Sequence, residues 1–246
     1  MMTPPLNDIF FLCLDSARHD TFVAANTPNI NRVGETRRVY SSACFSQASI
    51  FSYFWGYPPI GSGGRTLFPN VAKWTWAPKS LSEQGYSTAW LSANPVFLKL
   101  DLGGQFRKHF KYFKCIEYDE IKATESIISD IATIIKTEKE TPVFISTLLL
   151  DTHNPYYDGK DAHRLDPHMP EKNFENQVKS IEHLDRCFPR IIKDLKRPTD
   201  IIITSDHGDL FGPIESGYGH DSRMLSLKFN TKLFEIPLIT GKIGNE

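Results

Sequence analysis

Five short apolar runs, each rich in strand-forming residues, recur along the chain at residues 8–14, 87–91, 142–150, 200–204 and 234–240. Runs of this length, bounded by polar, Gly or Pro positions, predict buried strands. Between the third and fourth runs, Val178, Ile181, Leu184, Phe188, Ile191, Ile192 and Leu195 recur at helical spacing, which places one apolar stripe on a helix. Residues 121–135 predict a second helix. Strands alternating with helices imply an α/β sheet covered on both faces, read as a single domain over residues 1–246.

In open α/β sheets, function gathers outside the carboxyl ends of the strands. Asp15 directly follows the first run, Asp151 and His153 the third, Asp206 and His207 the fourth. Separate segments thus deliver polar residues toward one edge, where the fold predicts that they converge. Residues 56–78, rich in Gly, Pro and Trp, are expected to form an irregular excursion near that edge, and residues 153–170 a long loop. Long loops in compact domains are more often functional than idle.

Composition narrows the classes of function. The 246 residues are 40% hydrophobic, enough for one large core. With 28 basic and 29 acidic residues the net charge is -1, so no cationic surface points to nucleic acid, while a small anionic ester remains compatible as substrate. Cys13, Cys44, Cys115 and Cys187 are widely spaced and form no CxxC pair, which argues against a zinc knuckle or a disulfide framework and favours a reducing compartment. The early run at 9–14 is too short for a membrane span or a signal peptide. No membrane span and a cytoplasmic location are therefore expected.

The strongest local signal is Thr204-Ser205-Asp206-His207-Gly208-Asp209, placed straight after an apolar strand. A carboxylate beside an imidazole at a strand end offers two metal ligands, with Gly208 easing a tight turn; a buried hydrogen-bonded histidine or a helix-capping Asp would read the same way. Asp15 alone is a ligand or a loop former. Ser46 stands at the amino end of a predicted short helix, where the helix dipole and a metal could together stabilise an alkoxide, or where it serves as an N-cap.

These residues carry a resemblance. The segment 8–20, followed by Thr27-Pro28-Asn29-Ile30, is similar to the opening strand and TPN element of the sulfatase-like proteins of the alkaline phosphatase superfamily. Residues 43–59 resemble that family's nucleophile helix, and Asp151-Thr152-His153-Asn154-Pro155-Tyr156 its HxPY element. Ser180-Ile181-Glu182-His183-Leu184-Asp185 resembles the following helix, 204–208 its SDHG motif, Gly217-Tyr218-Gly219-His220 its downstream histidine, and 235–239 its late strand. The elements occur in family order over nearly the whole chain, which is short for the superfamily and looks like a compact core without C-terminal additions. The resemblance implies an alkaline-phosphatase-like fold with a largely parallel central sheet. It makes Asp15, Asp206 and His207 metal ligands and Ser46 the nucleophile. His153 and His220 then contact the transferred group or, in some branches, help hold a second metal. Arg18 and Asp20 match an RxD pattern read as a structural ion pair.

Departures from the pattern matter. The formylglycine motif of true sulfatases has no counterpart in Ser46-Gln47-Ala48-Ser49-Ile50, which lacks its Pro and Arg, so sulfate-ester hydrolysis is disfavoured; Cys44 is a weaker alternative nucleophile. Mixed oxygen and nitrogen ligands suit zinc first and manganese second, with one or two ions, better than calcium. The leading expectation is a metal-dependent hydrolase of phosphate mono- or diesters acting through a seryl intermediate. The alternatives are a phospho-group transferase to another acceptor, a sulfatase-like hydrolase and a metal-binding pseudoenzyme.

Overall fold

The computed structural model describes residues 6–56, 60–62, 65–67, 76–99, 106–116, 123–215, 217–220 and 230–244. Seven strands form the central sheet: β1 Asp8–Leu14, β2 Arg37–Tyr40, β3 Ser87–Ser92, β4 Tyr112–Cys115, β5 Val143–Leu149, β6 Thr199–Ser205 and β7 Glu235–Ile243. Their order across the sheet is β2-β7-β6-β1-β5-β3-β4. The pairs β6·β1, β1·β5, β5·β3 and β3·β4 are parallel, whereas β7 runs antiparallel to both β6 and β2. All five predicted runs are strands of this sheet. The two outermost strands, β2 and β4, escaped the pattern because they are short and only partly buried, so neither shows an apolar run.

Among the described residues, six α-helices accompany the sheet: α1 His19–Ala24, α2 Ser46–Trp55, α3 Ala77–Glu83, α4 Val96–Lys99, α5 Ala123–Thr137 and α6 Pro170–Ile192. Alternation along β1 shows how both faces are covered, since neighbouring strand residues point to opposite sides. Phe10, Leu12 and Leu14 enter an aliphatic core with Ile127, Ile131 and Ile134 of α5 and Ile181, Leu184 and Phe188 of α6. Ile9, Phe11 and Cys13 face an aromatic core with Ile50, Phe51 and Phe54 of α2, Trp76, Trp90, Phe97 and Phe106. Rings such as Trp90 and Phe106 are fully buried, each contributing about 1.5–3 kcal/mol of transfer free energy. The apolar stripe of α6 is the predicted one, except that Leu195 lies past the helix end and packs there half-buried.

The loop expected over 153–170 holds a two-residue hairpin, Tyr156–Tyr157 with Ala162–His163. Asp185 of α6 accepts hydrogen bonds from the backbone N–H groups of Asn29 and Ile30 and from Asn29 Nδ2, which ties the TPN segment to that helix. Of the excursion expected over 56–78, residues 57–59, 63–64 and 68–75 lie outside the described residues, as do residues 121–122 of the second predicted helix. The described remainder of the excursion includes the short hairpin Ile60–Ser62 with Arg65–Leu67.

Candidate active site

The carboxyl ends of β1 and β6 lie side by side in register, Leu14 opposite Ser205, so Asp15 and Asp206 leave the sheet as neighbours. Both are fully buried, as is His207. Ser16 adopts φ 63°, a left-handed conformation that costs a non-glycine residue about 1 kcal/mol or more. Two hydrogen bonds offset that cost: its N–H donates to Asp206 Oδ1 at 2.9 Å and its hydroxyl to Asp15 Oδ1 at 2.9 Å. Ser16 is thus a bracket between two carboxylates.

Helix α2 brings in Ser46 as its first residue. Phe45, not Ser46, occupies the N-cap, with no side-chain capping bond, so the Ser46 hydroxyl is not spent on the helix. Its Oγ lies 3.4 Å from Asp15 Oδ2 and 3.4 Å from His207 Nε2. The next hydroxyls along the helix are committed elsewhere, Ser49 to the Ala43 carbonyl and Ser52 to the Ala48 carbonyl. Tyr53 holds the helix to the Asp206 loop by donating to the Ser205 carbonyl at 2.8 Å. Cys44 is buried and packs with Leu210 and Leu233.

The imidazole of His207 is oriented by its own loop. Nδ1 lies 2.7 Å from the Gly208 carbonyl, so it carries the proton and Nε2 is left as an acceptor facing Ser46, with Asp206 Oδ2 at 3.5 Å. Gly208 serves this loop differently from the turn expected of it: a Cβ there would lie 1.9 Å from the Lys232 carbonyl oxygen, so close backbone approach is what demands glycine. His220 packs against His207 with centroids 4.2 Å apart and planes tilted by 47°, and His153 meets His220 edge to face at 5.1 Å. Ligand atoms of Asp15, His207 and His220 all lie within 4.8 Å of one another.

Two carboxylates packed into one dry site cannot both ionise readily. Burial, then the charge of Asp15, pushes Asp206 up to about 8. Burial also opposes ionisation of Asp15, but His153, His207 and His220 together with the Asn94 amide hold it below the usual carboxylate range. Burial lowers the proton affinity of His207. Among the described residues no Lys or Arg pairs with either carboxylate, and Asp206 Oδ2 is buried without a hydrogen-bond partner. An orphaned Asp206 oxygen 3.5 Å from a neutral imidazole nitrogen, beside the cluster of Asp15, His207 and His220 ligand atoms, fits a divalent cation.

Asp15, Ser46, His153, Asp206, His207 and His220 therefore meet, as the sequence suggested. Asp151 does not join them. Its carboxylate turns away to accept from Thr124 and to lie 3.5 Å from His183 Nε2, where burial pushes it up to about 6. Arg18 and Asp20 form the expected ion pair, extended by Glu215 and seated over the Phe211 ring. Sequence reasoning missed Asn94, whose Nδ2 donates to Asp15 Oδ2 at 2.9 Å. Its position just after the β3 strand end was the available signal, masked by an Asn-Pro pair that reads as an ordinary turn.

Comparison with known proteins bears on the family and the fold. The family model described as Sulfatase matches residues 7–239. Over 87 residues, 35% of the chain, it is 38% identical to a phosphopentomutase of Pseudothermotoga lettingae, and the matched stretch spans only 19% of that curated relative. Among solved structures, a protein in the alkaline phosphatase superfamily from Vibrio parahaemolyticus superposes with TM-score 0.69 at 18% identity, covering 100% of this chain and 62% of that one. The C-terminal periplasmic domain of EcEptC from Escherichia coli, in complex with zinc, gives TM-score 0.69 at 12% identity, covering 96% of this chain and 72% of that one. No described helix is long and apolar enough to cross a membrane. The chain belongs to the sulfatase family, within the alkaline phosphatase superfamily.

Proposed function

We propose that this chain is a divalent-metal-dependent hydrolase of phosphate mono- or diesters that works through a covalent phosphoryl group on Ser46. The observation that carries the reading is the Ser46 hydroxyl at the amino end of α2, 3.4 Å from both Asp15 Oδ2 and His207 Nε2, beside the orphaned Asp206 oxygen. Asp15, Asp206 and His207 hold the ion, zinc in first place and manganese in second, with His220 near enough to join or to serve a second ion. When bound, such an ion supplies positive charge that lowers the proton affinity of the Ser46 hydroxyl and offsets charge developing on the transferred group.

The remaining work falls to the chain. Ser46 Oγ forms a bond to phosphorus as the ester P–O bond breaks, and the departing oxygen takes a proton. His153, set edge to face against His220, orients the non-bridging oxygens, and His220 takes the proton that Ser46 loses and passes it to the departing oxygen. Water then attacks phosphorus, the Ser46 O–P bond breaks, and the serine regains its hydrogen. The helix dipole of α2 favours negative charge at Ser46 throughout.

The partial likeness to a phosphopentomutase favours a second reading, in which Ser46 passes the phosphoryl group to an acceptor other than water. Turnover of aryl phosphate, a phosphodiester and an aryl sulfate, measured on protein of known metal content with and without added alcohols, tests both. The proposal requires phosphate-ester turnover above sulfate-ester turnover and release of phosphate to water. Release only when an acceptor is supplied supports the transferase, whereas dominant sulfatase activity with an aldehyde at position 46 overturns both.

A further inference from the structure

The short hairpin Leu210–Gly212 with Gly217–Gly219 pairs Leu210 with Gly219. That register sets the residues just outside its open end, Asp209 and His220, side by side although they are eleven positions apart in sequence. Asp209 is 1% exposed. Its Oδ1 lies 3.3 Å from His220 Nδ1 and accepts from the Leu210 N–H at 3.0 Å, while its Oδ2 accepts from the Tyr156 hydroxyl at 3.3 Å. Tyr156 is itself fully buried, so the carboxylate is held on three sides and its orientation is set before any ligand binds.

We propose that Asp209 is a positioning residue for His220, a role that rests on His220 acting in the phosphoryl-transfer reading above. With Asp209 Oδ1 turned to His220 Nδ1 as acceptor, that nitrogen carries the proton. The ring is thereby fixed in the tautomer whose free nitrogen is Nε2, on an imidazole that packs 4.2 Å from the His207 ring. A carboxylate behind an imidazole does this in metal and acid–base sites alike. Without it the ring can rotate or exchange tautomers, and a protonated Nε2 would turn a donor, not a lone pair, toward the site.

The test reads the tautomer as well as turnover. In wild-type protein, two-bond proton–nitrogen correlation spectra of the histidine rings, assigned with His220→Gln and taken where the ring is neutral, should show His220 protonated at Nδ1. Asp209→Ala should lose that single tautomer and lower kcat by about 10–100-fold, with KM little changed. Asp209→Asn, which keeps an acceptor oxygen, should retain the tautomer and recover much of the rate. An Nε2-protonated His220 in wild type, an unchanged tautomer in Asp209→Ala, or a loss of rate in Asp209→Asn equal to that in Asp209→Ala would each overturn the assignment. Full turnover in Ser46→Ala would instead overturn the phosphoryl-transfer reading, and the tautomer result would stand apart from it.

Discussion

Removing the charge of Asp206 should make the metal-free protein more stable at neutral pH, against the usual expectation for a buried site residue. Asp206 titrates near 8 in place of the ordinary 3.8, because it is buried and faces Asp15. A carboxyl whose folded-state pKa is raised contributes its full stability below the unfolded value. That contribution is lost as pH climbs toward the folded value, so the window runs from about 4 to about 8. At about 1.4 kcal/mol per pH unit, wild-type apoprotein should lose about 3 kcal/mol between pH 5 and 7.5 on account of this group. Asp206→Asn keeps Oδ1 as acceptor for the Ser16 and His207 N–H groups but cannot ionise, so it should escape that loss. Urea unfolding in chelator at the two pH values measures the difference, and adding zinc should reverse the order, stabilising wild type and leaving the variant nearly unmoved. Parallel pH dependence of wild type and variant would refute the reasoning, as would equal stabilisation of both by zinc.

Other consequences follow from named contacts. Asp20, paired with Arg18 and Lys232, is held down to about 2, so its contribution is present above about 4 and lost as pH falls toward 2. Allowing for its partial exposure, Asp20→Asn should cost about 1–2 kcal/mol at pH 7 and progressively less in acid, as thermal unfolding across pH would show. Gly208→Ala must displace the Lys232 carbonyl that a Cβ would meet at 1.9 Å; a loss of about 2–3 kcal/mol together with weakened zinc binding is expected by calorimetry. Cys44→Ala and Ser49→Ala should keep turnover, since the first side chain packs with Leu210 and Leu233 and the second is tied to a backbone carbonyl; abolition by either, with metal retained, would show that Ser46 is the wrong nucleophile.

Much of this was legible in the residues themselves. Five apolar runs became five strands because burial on both faces leaves little room for polar positions, and the stripe on α6 reads directly as its core face. Asp15, Asp206 and His207 could be placed together because each follows a strand end, where register alone brings them close. What stayed hidden depends on contacts that no local pattern encodes. Asn94 reaches Asp15 across 79 positions, and Asp151, though it follows a strand end as Asp15 does, is drawn off by Thr124 and His183. Ser16 carries no signal in sequence, and only its left-handed backbone reveals the bracket it forms between two carboxylates. The edge strands β2 and β4 owe their place to pairing with neighbours rather than to their own apolar content.

Rapid quenching of zinc-loaded protein during turnover of an aryl phosphate, followed by digestion and mass spectrometry, interrogates the nucleophile itself. The phosphoryl group should appear on Ser46, accumulate when His153 or His220 is replaced and breakdown slows, and vanish in Ser46→Ala along with turnover while zinc remains bound. A phosphoryl group on Ser49 or Ser52, or undiminished turnover in Ser46→Ala, would contradict the proposal, the latter pointing to direct attack by water.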